Sequence, residues 1–259
     1  MTTHKRHAAE LRSFEDALAS LATSEAYAGT LIGRLRRIVP LEPGAGILDV
    51  GAAQGGLVIG LAKQGFRAVG VEPWDKARET AQRLAQRAGV TIEMVEGVGE
   101  RIPLESGQFA AVLACYVMEH VHDAQATINE AYRMLRPGGV FWFSSTSSLS
   151  PHQNEISGFP CFGWYPDRLK RRIMEWAKTK RPHLVGHTQT PAIHWWTPWK
   201  ARRMLRNAGF KQIYDRWDLR LPSEGGRLYA TALKVIRSCA LTKFCADVIC
   251  SECAYAAVK

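Results

Sequence analysis

Apolar positions near the start of the chain recur at helical spacing. Leu11, Phe14, Ala17, Leu18 and Leu21 fall at i, i+3, i+6, i+7 and i+10 and make one face. A second helix is expected from Ser24 to Ile38, before Pro40, Pro43 and Gly44 break the pattern. A regular alternation follows. The runs 46–50, 68–72, 91–95, 110–116 and 140–144 read as buried strands. Between them 57–64, 75–88 and 123–135 read as helices. Gly65 and Gly89 stand at the expected C-caps, and Arg136-Pro-Gly-Gly139 stops the third helix. Strands alternating with helices predict a parallel sheet covered on both faces.

After Ser144 the rhythm stops. Residues 145–197 hold one clear helix, around 166–179. An irregular stretch of that length inside a compact domain usually has a purpose. It carries Phe159, Phe162, Trp164, Tyr165, Trp176, Trp195 and Trp196, interleaved with Arg and His. Such rings stack on a sugar or ring face, or form a satellite core under the loop. Regularity returns with a helix over 198–208 and a strand over 211–219. One or two basic amphipathic helices over 225–249 and a closing strand over 254–258 follow.

The chain has 259 residues, 46% hydrophobic and 22% charged, which excludes a disordered or fibrous protein. No uncharged apolar run reaches the roughly 18 residues that span a membrane. The polar start lacks the apolar core of a secretory leader, so a cytoplasmic location is expected. The charge of +10, from 34 Lys+Arg against 24 Asp+Glu, attracts anionic partners without choosing among them. Of the six cysteines, Cys239, Cys245, Cys250 and Cys253 cluster late in the chain. Only the last pair has metal-ligand spacing, so buried reduced thiols and no metal are expected.

The chemistry centres on Asp49-Val-Gly-Ala-Ala-Gln-Gly-Gly56, which follows a strand and opens a helix. Ligands bind at that place in α/β sheets. Small residues let backbone approach the ligand, and the helix start offers free N–H groups. Gly51-x-Ala53-x-x-Gly56 with Glu72 is a relaxed dinucleotide fingerprint. Asp49 speaks against it, because a buried carboxylate repels a pyrophosphate. Beside the ammonium of an amino-acid moiety the same carboxylate helps.

The loop resembles motif I of class I S-adenosylmethionine-dependent methyltransferases. Val69-Gly-Val-Glu72-Pro resembles their second motif, and Gly97-Val-Gly-Glu-Arg-Ile-Pro103 their adenine-side loop. Leu113-Ala-Cys-Tyr-Val-Met-Glu-His-Val121 resembles the fourth-strand motif of the quinone-biosynthesis branch, and Leu135-Arg-Pro-Gly-Gly139 the turn before strand five. The remainder is similar, less specifically, to enzymes that methylate saccharides or secondary metabolites. The resemblance implies a Rossmann-like, seven-stranded, mostly parallel sheet. It implies one domain over 1–259: N-terminal helices (1–44), a cofactor-binding core (45–144), an acceptor-binding cap (145–197), and the rest of the sheet with an inserted helical segment (198–259).

The implied cofactor is S-adenosyl-L-methionine. Gly51, Ala52, Ala53 and Gly55 would cradle its methionine end, and Asp49 its amino group. Glu72, followed by Pro73, would take both ribose hydroxyls. Val98 and Gly99 would flank adenine, and the Ala114 carbonyl would meet its amino group. Val98 stands where the family often has an acid, and Ala110 follows Phe109 where it often has Asp.

An alcohol acceptor must lose its proton, and His120, after strand four, is the candidate general base. Alternatively Glu119-His120 pins a loop. Trp164, Tyr165, His194 and Trp195 are the expected acceptor contacts, with His152 and His187 behind them. Lys170-Arg-Arg172 and Lys178-Thr-Lys-Arg181 suit a phosphate, an anionic membrane or a solvated helix face. The 225–249 segment suits a membrane interface, a subunit contact or packing within the fold, the last being favoured. The expected function is methyl transfer to a small molecule, foremost a hydroxyl oxygen of a saccharide or related metabolite. An RNA methyltransferase, a nicotinamide oxidoreductase and a non-catalytic partner subunit are the rivals. No DNA partner is expected and RNA is disfavoured. Peripheral membrane contact and a homodimer are compatible with the sequence.

Overall fold

The structure is a computed structural model that describes residues 13–185 and 191–259. Helices α1 (Phe14–Ala19) and α2 (Leu21–Leu35) precede the sheet. Leu11, the first position of the expected apolar face, lies outside the described residues. Strands β1 (Gly46–Val50), β2 (Arg67–Val71), β3 (Glu93–Val95), β4 (Phe109–Cys115), β5 (Leu135–Thr146), β6 (Gln212–Asp215) and β7 (Glu252–Val258) form one sheet in the order β3-β2-β1-β4-β5-β7-β6. All pairings are parallel except those of β7, which runs antiparallel to both neighbours. The order reverses between β1 and β4, which opens a crevice at their carboxyl ends.

Helices cover both faces. Under α2, α3 (Gly56–Lys63) and α4 (Asp75–Ala88), one core layer gathers Leu31, Ile32, Ile59, Leu61 and Leu84 on Ile47, Ala111 and Trp142. Under α5 (Ala124–Met134) and α7 (Pro198–Asn207), a second layer gathers Ile128, Met134 and Leu205 on Leu48, Val112, Phe141 and Tyr255. The local signals work as expected. In α4, Ala77, Ala81, Leu84 and Ala85 are buried on one face, and Gly89 closes the helix at φ +69°. Asp123 caps α5 by accepting from the Gln125 and Ala126 N–H groups.

Two expectations change. First, β5 starts at Leu135, and Arg136-Pro-Gly-Gly139 forms a bulge within it where the register with β4 shifts. Second, the 211–219 strand ends at Asp215. Its side chain accepts from the Trp217 and Asp218 N–H groups, and Asp218 returns a bond to the Asp215 N–H. This capping box opens the short helix α8 (Arg216–Leu219). The 225–249 segment, expected as one or two amphipathic helices, is a hairpin of α9 (Arg227–Arg237) and α10 (Ala240–Ile249). Among the described residues no helix is long and apolar enough to cross a membrane.

The described residues 147–185 and 191–197 follow β5 at the carboxyl edge as a cap. Its centre is a separate cluster of Ile156, Phe162, Met174, Ala177, Val185 and Trp195, with Met174 and Ala177 from α6 (Asp167–Lys180). The segment 192–197 joins cap to sheet. Trp196 N–H donates to the Thr146 carbonyl at 3.0 Å, and Ser148 N–H to the Trp196 carbonyl at 2.8 Å.

Candidate active site

The glycine turn is held from below by β2. The Gly51 and Ala52 N–H groups both donate to the Val71 carbonyl, at 2.9 and 3.0 Å. The chain then reverses through left-handed conformations at Gly51 (φ +73°), Ala53 (φ +47°) and Gly55 (φ +74°). Glycine is required twice for packing as well. A Cβ on Gly51 would lie 2.6 Å from Val117 Cγ2, and one on Gly55 2.7 Å from Ala81 Cβ. From the first turn of α3, Gly56 meets Ser24 of α2.

Two carboxyls flank the turn. Asp49, at the end of β1, is 4% exposed. Burial, then the charge of Glu72, pushes its carboxyl up to about 8. Glu72 follows β2 and accepts from the Ala53 N–H at 2.8 Å and the Trp74 N–H at 3.1 Å. Burial raises it too, and those two bonds pull against the rise. Pro73 carries the chain away from this carboxyl, and its carbonyl accepts from Arg78. Paired acids at a glycine turn repel a phosphate and suit a ligand with hydroxyl donors and a positive charge.

Val98 and Gly99 sit in the loop after β3, where the Arg101 N–H donates to the Val98 carbonyl at 3.1 Å. Val98 is exposed, while Gly99 is buried against Thr127. Ala114 is buried in β4, opposite Phe143 of β5. On the far side Tyr27 of α2 reaches Cys115 at 3.6 Å. The N-terminal helix therefore closes over the same crevice, a contact that helical periodicity does not reveal.

Beyond β4 the chain turns sharply at Tyr116 (φ +57°), and His120 N–H closes the turn on the Val117 carbonyl at 2.8 Å. His120 is half-buried. Glu119 is buried and accepts from Ser145 Oγ at 2.6 Å, while its backbone carbonyl accepts from the Ile193 and His194 N–H groups. Loop pinning by Glu119 is thus present in the structure. Its carboxyl is pushed up to about 8, by burial first and the charge of Glu155 second. Glu155 accepts from Thr146 Oγ1 at 3.0 Å, and Glu252 accepts from the Tyr116 hydroxyl at 3.0 Å. Three carboxyls, from the β4 turn, the cap and β7, thus gather at the end of β5. Sequence reading missed Glu155 and Glu252.

The expected acceptor contacts separate. Trp195 is buried in the cap core against Phe162, with Lys170 Nζ 4.7 Å from its ring. It supports the cap and offers no free face to a sugar. Tyr165 packs on Phe162, and Trp164 is exposed with its indole N–H on the Leu149 carbonyl. His194 lies on the β4 turn, and burial followed by the charge of Lys200 lowers its pKa. His152 is exposed, and His187 lies outside the described residues. Lys170 departs from the solvated basic run: it is buried and bound to Ser148 and Asp167. The cysteines are free, but Cys239 and Cys245 are exposed, not buried as expected.

Sheet order, crevice and acid-flanked turn together define a Rossmann-like fold that takes a nucleoside with a cationic tail. The family described as Methyltransferase domain matches residues 48–143. An uncharacterized methyltransferase of Mycobacterium sp. (strain JLS) is 36% identical over 67% of this chain and 68% of its own length. A ubiquinone biosynthesis O-methyltransferase of Methylocella silvestris is 30% identical over 59% of each chain. The chain spans between 43% and 63% of the length of the curated ubiquinone-biosynthesis relatives it matches. Its fold is that of an S-adenosylmethionine-dependent methyltransferase of Thermotoga maritima, a possible histamine N-methyltransferase. The TM-score is 0.53 at 15% identity, with 96% of each chain covered. The chain belongs to the S-adenosylmethionine-dependent methyltransferase family.

Proposed function

We propose that this protein transfers a methyl group from S-adenosylmethionine to a hydroxyl oxygen of a small-molecule acceptor, a saccharide or a related hydroxylated metabolite. The observation that carries the reading is the meeting of two acid-lined places at one crevice. The glycine turn with Asp49 and Glu72 lies at the ends of β1 and β2, and the Glu119–His120 turn lies at the end of β4. The relatives named for O-methyl transfer support oxygen as the atom methylated.

The residues fit the cofactor. Each Glu72 oxygen accepts one backbone N–H and keeps a second lone pair for a ribose hydroxyl. Asp49 stands ready to pair with the ammonium group, which favours its charged form and draws its raised pKa down. Gly51, Ala52, Ala53 and Gly55 present backbone to the methionine end, Val98 and Gly99 line the adenine side, and Ala114 offers its carbonyl. The bound cofactor supplies an electrophilic methyl group on a sulfonium. The protein's own work is alignment and proton removal. His120 receives the acceptor's hydroxyl proton, and Glu119, held by Ser145 and by the backbone of 193–194, fixes the turn that carries it. The cap excludes water from the edge.

The test uses S-adenosylmethionine labelled in the methyl group, with a glycoside, a catechol and a primary amine offered in parallel. A labelled methyl ether from either hydroxyl acceptor supports the reading and identifies the acceptor class. An N-methylated amine as the only labelled product refutes oxygen as the target. Binding of NADH without binding of S-adenosylhomocysteine refutes the cofactor.

A further inference from the structure

Helix α10 is turned inside out. Its two charged residues face the protein. Lys243 Nζ bonds Asp215 at 3.1 Å and Asp218 at 2.6 Å, and Asp247 accepts from Trp217 Nε1 at 2.7 Å. Its large apolar residues face outward: Leu241 is 68% exposed, Phe244 44% and Ile249 83%. Positions i, i+3 and i+8 share one stripe of a helix. Helix α9 adds Leu228 at 89% and Val235 at 56%, also on one face, while Leu233 on the other anchors the hairpin. A folded chain leaves large apolar side chains in water singly, not as a stripe along two adjoining helices.

The charge around this stripe has one sign. Among the described residues 216–251, the exposed charged side chains are Arg227 and Lys234. The acids of the segment are half-buried and engaged: Asp218 by Lys243, Glu224 by a two-pronged bond from Arg34 at 2.6 and 2.7 Å, and Asp247 by Trp217. What the hairpin shows outward is therefore apolar and cationic. That combination enters the headgroup region of an anionic bilayer. A second copy of the same face would bring like charges together.

We propose that the α9–α10 hairpin docks on a lipid bilayer carrying anionic headgroups. The hairpin leaves the sheet at the carboxyl end of β6 and returns at Glu252, beside Tyr116. Ser251 bonds Ser147 and Asn154 of the cap on the way. Docking there sets the carboxyl edge of the sheet close to the lipid surface. The inference does not depend on methyl transfer.

Vesicle flotation tests it, with phosphatidylcholine alone and with phosphatidylcholine mixed with phosphatidylglycerol. The full chain floats with the anionic vesicles and not with the neutral ones, and salt weakens the effect. Leu241→Glu with Ile249→Glu, and separately Arg227→Glu with Lys234→Glu, each lower partitioning by about tenfold or more. Unchanged S-adenosylhomocysteine affinity and an unchanged thermal transition show that both variants fold. A wild type that floats with neither vesicle overturns the proposal, as do variants that float undiminished. So does a dimer, seen by light scattering, that the Leu241/Ile249 pair dissociates, because a second copy then covers the stripe.

Discussion

Replacing Asp49 by asparagine separates two consequences of one buried carboxyl. Asp49 titrates at about 8 in the fold, raised by burial and then by Glu72. An unfolded aspartate titrates near 3.9, roughly. Because the folded value is the higher one, the ionised form is disfavoured in the native protein. This group's contribution to stability is therefore greatest below about pH 4 and falls as the pH rises toward 8. Each unit in that window costs about 1.4 kcal/mol. Asparagine does not titrate. The stability of Asp49→Asn relative to wild type therefore increases by about 3 kcal/mol between pH 5 and pH 7. Urea unfolding at the two pH values measures the difference. On the binding side the sign reverses. An ammonium beside Asp49 favours its ionised form, so the wild type releases close to one proton on binding S-adenosylhomocysteine near pH 7. Calorimetry in buffers of different ionisation heat reads that proton directly. The variant binds more weakly and releases far less. A stability difference that does not change with pH, or proton release undiminished in the variant, would refute the reasoning.

Glu72→Gln replaces a charged double acceptor by one with a single acceptor oxygen. The proposed ribose bonds would lose their charge assistance, and one backbone N–H of the turn would meet an amide N–H, so S-adenosylhomocysteine affinity is expected to fall by about 2–3 kcal/mol. Equilibrium titration showing wild-type affinity would remove Glu72 from the ribose site. His120→Ala lowers turnover and leaves S-adenosylhomocysteine affinity unchanged, whereas equal turnover across the pH range would make the residue structural. Gly55→Ala destabilises by about 2–4 kcal/mol in chemical denaturation, because the site combines φ +74° with a clash of 2.7 Å against Ala81. A loss below about 0.5 kcal/mol would show that the turn relaxes.

The glycine turn and its two flanking carboxyls were legible because their signals are local. One strand, one turn and one acid after the next strand lie within residues 46–72, and the sheet brings them together with no long-range guesswork. Helix α4 could be bounded to the residue because Asp75 opens it and Gly89 closes it. The acceptor side was not legible for the opposite reason. Glu119, Glu155 and Glu252 stand far apart in the chain; Ser145 and Thr146 at the end of β5 hold the first two, and the antiparallel insertion of β7 beside β5 adds the third. Trp195 was misread because aromatic density alone does not say which ring faces in. Asp215-Arg-Trp-Asp218 was a readable capping signal masked by a strand-like run. In α10 the inward turn of Lys243 and Asp247 depends on partners in α8 and at the end of β6, which helical periodicity alone does not supply.

The place of β7 has a consequence for synthesis. Val258 pairs with both Val140 and Gln212, so β7 enters between two strands that are made before it. Until residues 252–258 have emerged, β5 and β6 both wait with open hydrogen-bonding edges. Open apolar strands of this kind recruit other chains. A chain that has made β6 but not yet β7 therefore carries aggregation-prone edges, and the pairing of residues 252–258 closes the β5 edge and one edge of β6 at once.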